Sequence, residues 1–513
     1  MASRPVAIRR GIAPGGLAAL AVAVLTLGPV AAVLARSGGW GALGPGDFQA
    51  LRFTLLQAVL SAGASVALAI PAARALARRR FPGRGVLVAL LGAPFILPVI
   101  VAILGLVAVF GQSGLVNRAL AALGGPQFSI YGLHGVVLAH VFFNLPLAVR
   151  LLLQGWLAVP AERFRLAASL GLGPLAMFRA IEAPLILRIA PGAFAVIFVI
   201  CLSSFAVALT LGGGPRATTV ELAIYQAVRF DFDLGRAALL SVIQLGLAVI
   251  AGLFALWLGT GAGFGAGLDR VPQRRDGRGG AARAADALWI AVVAVFLLTP
   301  LACVVWRGLP GLAQLDSGTW IAAWHSVSVA LASTALCIVW ALALSSRRGE
   351  LVGLAGIAVS PLVLGTGLFL ILRPYINPFS VALPVTAVVN ALVSLPFALR
   401  ILAPQAETIR TDYGRLARAL ALTPGAWLRL VLLPRLRRPL GFAAGLTAAL
   451  SIGDLGVIAL FADPDRVTLP LRVYSLMGAY RMEAAAGAAL VLLVVSFGTF
   501  WIFDRGGRAG ADA

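Results

Sequence analysis

Twelve stretches of this 513-residue chain are apolar over roughly the 20 residues that a helix needs to cross a hydrocarbon layer. They run over 14–35, 53–76, 85–110, 133–156, 190–211 and 236–258, then 286–306, 324–345, 351–372, 380–402, 441–461 and 484–503. Lipid offers backbone groups no hydrogen bonds, so each stretch has to satisfy its own amides and carbonyls as a helix. The expected fold class is therefore all-α: a polytopic membrane protein with about twelve transmembrane helices. Composition agrees, with 60% hydrophobic and 12% charged residues against about 25% charged in soluble domains. The first stretch follows Arg9 and Arg10. Its apolar run exceeds the roughly 7–15 residues of a signal peptide, so it reads as a retained span.

Net charge is +22, and all 41 basic residues are Arg. Concentrated on one surface, such charge would suit nucleic acid. Here it is dispersed over alternate loops, chiefly those between spans 2 and 3, 4 and 5, and 10 and 11, and over the segment 261–285. With the N-terminus in the cytoplasm all of these loops are cytoplasmic, as the positive-inside rule requires. The expectation is a multi-pass protein of a bacterial inner membrane, both termini inside, with no nucleic-acid partner. Cys201, Cys303 and Cys337 lie far apart, as do His134, His140 and His325. No disulfide, metal site or cofactor is expected from such spacing.

The Gly- and Arg-rich segment 261–285 reads as a flexible linker. It separates a first unit, 1–260, from a second, 286–513. Six spans in each give the two units one orientation, as parallel six-helix repeats. The repeat is visible in the residues. RLAASLGLGPLAMFRAIEAP, 165–184, and RLARALALTPGAWLRLVLLP, 415–434, share nine of twenty positions, and LPLAVR, 145–150, precedes LPFALR, 395–400, by the same 250 residues. Leu166 and Leu170, and Leu416 and Leu420, form a short helical stripe. Thr423 and Pro424 suit the first positions of a second helix, and Pro184 and Pro434 are expected to end or kink it. Each loop, about 160–190 and 410–440, thus reads as a helix–turn–helix at the membrane surface. A doubled feature suggests a partner of twofold symmetry.

These segments resemble the EAA loop of permeases of ATP-binding-cassette importers, roughly E-A-A-x3-G-x9-I-x-L-P. Ala167, Gly171, Ile181 and Pro184 stand at matching positions, and Ala417, Val431, Leu433 and Pro434 in the second copy. The chain lacks the pattern's Glu in both copies, has Leu166 and Leu416 in place of its first Ala, and has Ala421 in place of the turn Gly. A left-handed turn is harder for Ala, so the second loop is expected to bend less sharply. The resemblance implies that Leu166, Ala167, Ala168, Leu170, Gly171, Leu416, Ala417, Leu420 and Ala421 contact a cytoplasmic ATPase dimer. A chain without Lys cannot supply a P-loop, so this is a transport permease rather than an enzyme, and ATP hydrolysis belongs to a separate subunit.

Further segments, 131–154, 211–227 and 450–461, together with RRRFPGR (78–84) and FILPVIVA (95–102), resemble the fused permease of bacterial thiamine importers. That resemblance implies thiamine and its phosphate esters as substrate and a periplasmic thiamine-binding protein as partner. It also implies that one fused chain replaces a permease dimer. A ferric-iron permease of the same superfamily and an ion-coupled secondary transporter remain alternatives on the residues alone.

Polar residues inside spans mark a candidate path, because an unpaired polar group in lipid is costly. His140 and Asn144 are one turn apart, and 250 residues later stand Asn390 and Ser394. Ser203 and Ser204 correspond to Gly453 and Asp454, the latter the one carboxylate placed well inside a span. His140, Asn144, Ser203, Ser204, Asn390 and Asp454 are the candidates, each with structural hydrogen bonding as the competing explanation.

Overall fold

The structure is a computed structural model that describes residues 14–37, 43–92, 96–258, 279–345, 359–461, 463 and 465–508. Before residue 259 the helices are α1 (Pro14–Arg36), α2 (Pro45–Arg78), α3 (Arg84–Leu90), α4 (Val99–Phe110), α5 (Leu115–Ala122) and α6 (Leu133–Ala158). They continue with α7 (Ala161–Ser169), α8 (Pro174–Met177), α9 (Ala183–Leu202), α10 (Ala206–Leu211), α11 (Val220–Arg229) and α12 (Leu234–Trp257). After residue 278 come α13 (Gly280–Gly311), α14 (Ser317–Ala343), α15 (Pro361–Leu372), α16 (Ala382–Ala419), α17 (Pro424–Ala426), α18 (Leu433–Ile452), α19 (Gly456–Leu460), α20 (Leu469–Gly478) and α21 (Met482–Arg508).

Among the described residues, eleven helical segments are long and apolar enough to cross a membrane, and Pro361–Leu372 is a shorter apolar helix. The chain is a multi-pass all-α membrane protein of roughly twelve helices. The expected span 351–372 is described only from residue 359, and most of the segment 261–285 lies outside the described residues. The end of that segment is helical: α13 begins at Gly280, six residues before the expected boundary.

Three expected spans are not continuous. The stretch 85–110 ends its first helix at Leu90 and resumes at Val99, after Pro98 in extended conformation. The stretch 190–211 is helical from Ala183 to Leu202, opens at Ser203, Ser204 and Phe205, and closes again as α10. The stretch 441–461 does the same at Gly453, Asp454 and Leu455. Asp454 therefore stands in a helix break and not at a helix centre.

Helices here associate through small residues, since lipid gives apolar side chains no reason to leave it. The buried face of α2 is made largely of Ala58, Ala62, Ala69, Ala72 and Ala73. Two short helices are exchanged between the halves. Helix α4 packs on α13 and α21, and α15 packs on α1 and α12. A Cβ on Gly105 of α4 would stand 2.6 Å from the carbonyl oxygen of Pro300, and one on Gly367 of α15 would meet that of Pro29 more closely still. On one rim, Asp286 at the start of α13 accepts from Arg79 Nε at 2.7 Å, tying α13 to the end of α2.

The halves also repeat a local device. The first backbone N–H of α11, Val220, donates to Thr54 Oγ1 at 2.9 Å, and the first of α20, Leu469, donates to Ser326 Oγ at 2.8 Å. A helix start buried in the bundle needs such a partner, because no water reaches its free N–H groups.

Candidate functional site

Two regions hold the residues singled out in the sequence. The first is the pair of loops after α6 and within the α16–α18 segment. In the first half Pro160 separates α6 from α7, with Val159 in extended conformation, as expected of a residue before proline. The corresponding residue 250 positions on is Arg410, and α16 runs unbroken from Ala382 to Ala419. The second loop is thus a continuation of its span, not a separate helix.

Both turns take the same shape. Gly171 has φ +69 and Ala421 φ +48, so the expectation of a blunter second bend is wrong. Leu172 N donates to Ala167 O and Leu422 N to Ala417 O, each at 3.0 Å, closing matching helix ends. These hydrogen bonds and the downstream cap hold Ala421 in a conformation it does not favour. Thr423 Oγ1 accepts from Ala426 N at 3.3 Å, as a helix cap, whereas Gly173 offers no side chain for that role. Pro184 and Pro434 do not end the helices that follow. A wide π-helical turn, Phe178–Glu182 or Trp427–Leu432, precedes each proline and leads directly into α9 or α18. The wider turn accommodates the ring that would clash with a regular preceding turn.

On these loops Leu166 and Leu170 are 61% and 68% exposed, and Leu416 and Leu420 are 56% and 62% exposed. Their stripe faces outward, while Ala167 is buried against Val159, Phe164 and Met177. Ala417 is half-buried, Gly171 and Ala421 are exposed, and Ala168 lies in α7 with its side chain outside the described residues. An open recess of about 710 Å³ lies beside the first loop, lined by Leu172, Gly173, Pro174, Leu175, Ala176, Arg179 and Ala180. The loops are braced differently. Glu182 accepts from Arg74 Nε at 2.6 Å and from Trp156 Nε1 at 3.3 Å. Its counterpart Leu432 packs with Ala406, Ile409 and Leu436, and Arg435 stacks 3.9 Å from the Tyr413 ring centroid.

The second region surrounds the two helix breaks. His140 Nε2 shares a hydrogen bond with Ser204 Oγ at 2.6 Å, and its Nδ1 shares one with Ser61 Oγ at 3.2 Å. Asn144 Nδ2 donates to the carbonyl oxygen of His140 and to Cys201 Sγ. Asn390 Nδ2 donates to Ser451 Oγ at 3.0 Å, and Ser394 is buried one turn on. Ser203, the first residue of the break, is half-buried. The freed carbonyls of α9 are taken up by distant side chains: Gln57 Nε2 donates to Cys201 O at 2.8 Å, and Gln244 Nε2 to Leu202 O at 3.0 Å. Asp454 Oδ1 accepts from Gly456 N at 3.2 Å, while Oδ2 is buried without a hydrogen-bond partner among the described residues. Gly456 also lies against the Phe205 ring, so the two breaks approach one another across the boundary between halves.

Sequence reasoning missed Glu221. It stands in the first turn of α11, 1% exposed, and accepts from Gln244 Nε2 at 3.2 Å and from Ser360 Oγ. Asp454, itself half-buried, is therefore not the one carboxylate held inside the bundle. The available signal was Thr219, a helix cap two residues ahead of an acid in an otherwise apolar run. Among the described residues no group of three or more His, Cys, Asp or Glu could hold a metal ion.

No family model matches the chain. Three proteins called thiamine transport system permease protein ThiP are similar to it. The one from Brucella abortus (strain 2308) is 39% identical over 535 residues, covering 100% of this chain and 97% of that protein. The one from Escherichia coli (strain K12) is 40% identical over 479 residues, covering 89% and 88%. The one from Haemophilus influenzae (strain ATCC 51907 / DSM 11121 / KW20 / Rd) is 34% identical over 508 residues, covering 94% of each.

Proposed function

The chain belongs to the family of thiamine transport system permeases, and on that footing we propose that it is the membrane pathway of an ATP-binding-cassette importer for thiamine. The observation that carries the reading is identity of 34–40% spread over nearly the whole chain. The thiamine phosphate esters are carried as well, released from a periplasmic thiamine-binding protein. Both termini and both loops face the cytoplasm, where most of the arginine-bearing loops also lie.

The paired loops engage a cytoplasmic ATPase dimer, one subunit each, so that one fused chain stands in for a permease dimer. Matching exposed leucines on matching turns support this. Leu166, Leu170, Leu416 and Leu420 present apolar surface at the rim, where the wide π turns join each loop directly to α9 or α18. Closure of the ATPase pair then moves α9 and α18, each of which breaks near the other half. The break at Ser203 and Ser204 is pinned by Gln57, Gln244 and His140. The break at Asp454 keeps a carboxylate oxygen without a hydrogen-bond partner among the described residues. A cationic thiazolium passing between the halves meets that oxygen, with Phe205 close by.

The test is reconstitution of the full chain with its ATPase and binding protein in vesicles. Expected is ATP-dependent uptake of thiamine with no uptake of ferric iron. Uptake driven by an ion gradient in the absence of ATPase overturns the reading.

A further inference from the structure

In the second half, arginines gather where two helices touch backbone to backbone. A Cβ on Gly441 of α18 would stand 2.5 Å from the Phe503 carbonyl oxygen, and one on Gly507 of α21 would stand 2.7 Å from that of Arg437. This contact sets Arg437 and Arg438, near the start of α18, beside Arg505 and Arg508, at the end of α21. All four are exposed. Arg508 pairs with Asp504 at 2.6 Å, and Arg505 lies 5.0 Å from the centroid of the Trp501 ring. Arg437 and Arg438 make no hydrogen bond, ion pair or ring contact among the described residues.

The surroundings match a headgroup layer and the acyl region beneath it. Trp501 is 57% exposed, and tryptophan favours the membrane–water boundary. One turn into the membrane from Arg438, exposed Phe442 packs edge-on against Phe500 of α21, with ring centroids 5.7 Å apart. The repeat supplies a control. The residues 250 positions before Arg437 and Arg438 are Leu187 and Arg188, and those 249 positions before Arg505 and Arg508, where the repeat has shifted by one, are Leu256 and Gly259. Orientation in the membrane calls for positive charge on both halves, but not for a cluster confined to one.

We propose that the cleft between α18 and α21 binds the phosphodiester headgroup of an anionic phospholipid. The guanidinium forks of Arg437 and Arg438 match the two free phosphate oxygens, Arg505 adds a third cation, and Phe442 and Phe500 border one acyl chain. The site lies near the wide turn Trp427–Leu432, so bound lipid steadies the base of the second loop.

The experiment is native mass spectrometry of the detergent-solubilised full chain, titrated with phosphatidylglycerol or with phosphatidylcholine of the same acyl chains. Expected is retention of phosphatidylglycerol at concentrations where phosphatidylcholine is lost. Retention should weaken roughly fivefold for each arginine removed in R437Q, R438Q and R505Q, at about 1 kcal/mol per interfacial charge, with R188Q unchanged. The single variants carry the test if a combined variant does not fold, and R437K/R438K should retain part of the binding. Equal retention of both lipids, or retention unchanged in the variants, overturns the proposal. Displacement of the lipid by millimolar inorganic phosphate would mark a free-phosphate site instead. Loss of co-purifying ATPase with lipid retention intact would make the patch a protein-docking surface.

Discussion

Ser360, at the start of α15, donates its hydroxyl to the carboxylate of Glu221, in the first turn of α11, across the boundary between the two halves. The same serine oxygen caps Leu362 N at 3.2 Å. Gln244 links Glu221 onward to the carbonyl of Leu202 at the break in α9. One chain of hydrogen bonds therefore joins the α9 break to the short helix α15 of the other half. Pro470 and Leu493, 249 residues after Glu221 and Gln244, cannot make it.

Glu221→Ala removes the acceptor and leaves Ser360 and Gln244 with buried donors, at a cost of about 1–3 kcal/mol for each. The thermal midpoint of the purified chain should fall. Glu221→Gln keeps an acceptor oxygen and should fall less. A midpoint in the Ala variant equal to wild type contradicts this account.

Gly105 and Gly367 allow each half's short helix to lie against the other half. Gly105→Ala places a methyl 2.6 Å from the carbonyl of Pro300. Overpacking of this kind costs about 1–3 kcal/mol. With a protease site engineered between residues 261 and 278, the cleaved halves of wild type should co-purify. Those of a Gly105→Ala/Gly367→Ala variant should separate more readily, and undiminished co-purification refutes the role.

Ala421 holds a left-handed conformation that costs a residue with a Cβ about 1–2 kcal/mol. Ala421→Gly should stabilise the chain by about 0.5–1 kcal/mol after glycine's larger unfolded-state entropy is subtracted. Gly171→Ala should destabilise it by a similar amount, since no atom lies within 4 Å of an added Cβ and only the backbone resists. Shifts of the same sign in both variants would exclude this explanation.

Leu170→Glu and Leu420→Glu alter exposed residues and should leave folding intact. If both loops dock an ATPase, each should reduce co-purification of that subunit by roughly thirtyfold, as loss of an interface hot spot of about 2 kcal/mol does. Normal complex yield and normal uptake would remove the loops from the interface.

Asp454→Asn is nearly isosteric and keeps an acceptor for Gly456 N. The prediction is loss of thiamine uptake with membrane insertion and ATPase assembly unchanged. Wild-type uptake kinetics would reduce Asp454 to a cap on the break.

The membrane fold was legible in the sequence because a spanning helix is a local object: about 20 apolar residues in lipid have no other way to satisfy their backbone. The paired loops were legible for a related reason, since exposed leucines, a turn, a cap residue and a proline act within a few positions of one another. What tertiary structure decided depends on partners far away in the chain. Ser203–Phe205 and Gly453–Leu455 sit within apolar runs, and the first break persists because Gln57, 144 residues from Cys201, reaches its carbonyl. Glu221 lies between designated spans, and only the fold buries it beside Ser360, 139 residues on. The short helices α4 and α15 look like ordinary spans until the opposite half supplies the prolines that Gly105 and Gly367 approach. Ala421 turns left-handed because hydrogen bonds on both sides of it leave the chain no other path. Local chemistry selected the helices. Long-range hydrogen bonding and backbone contact between the halves selected where those helices open.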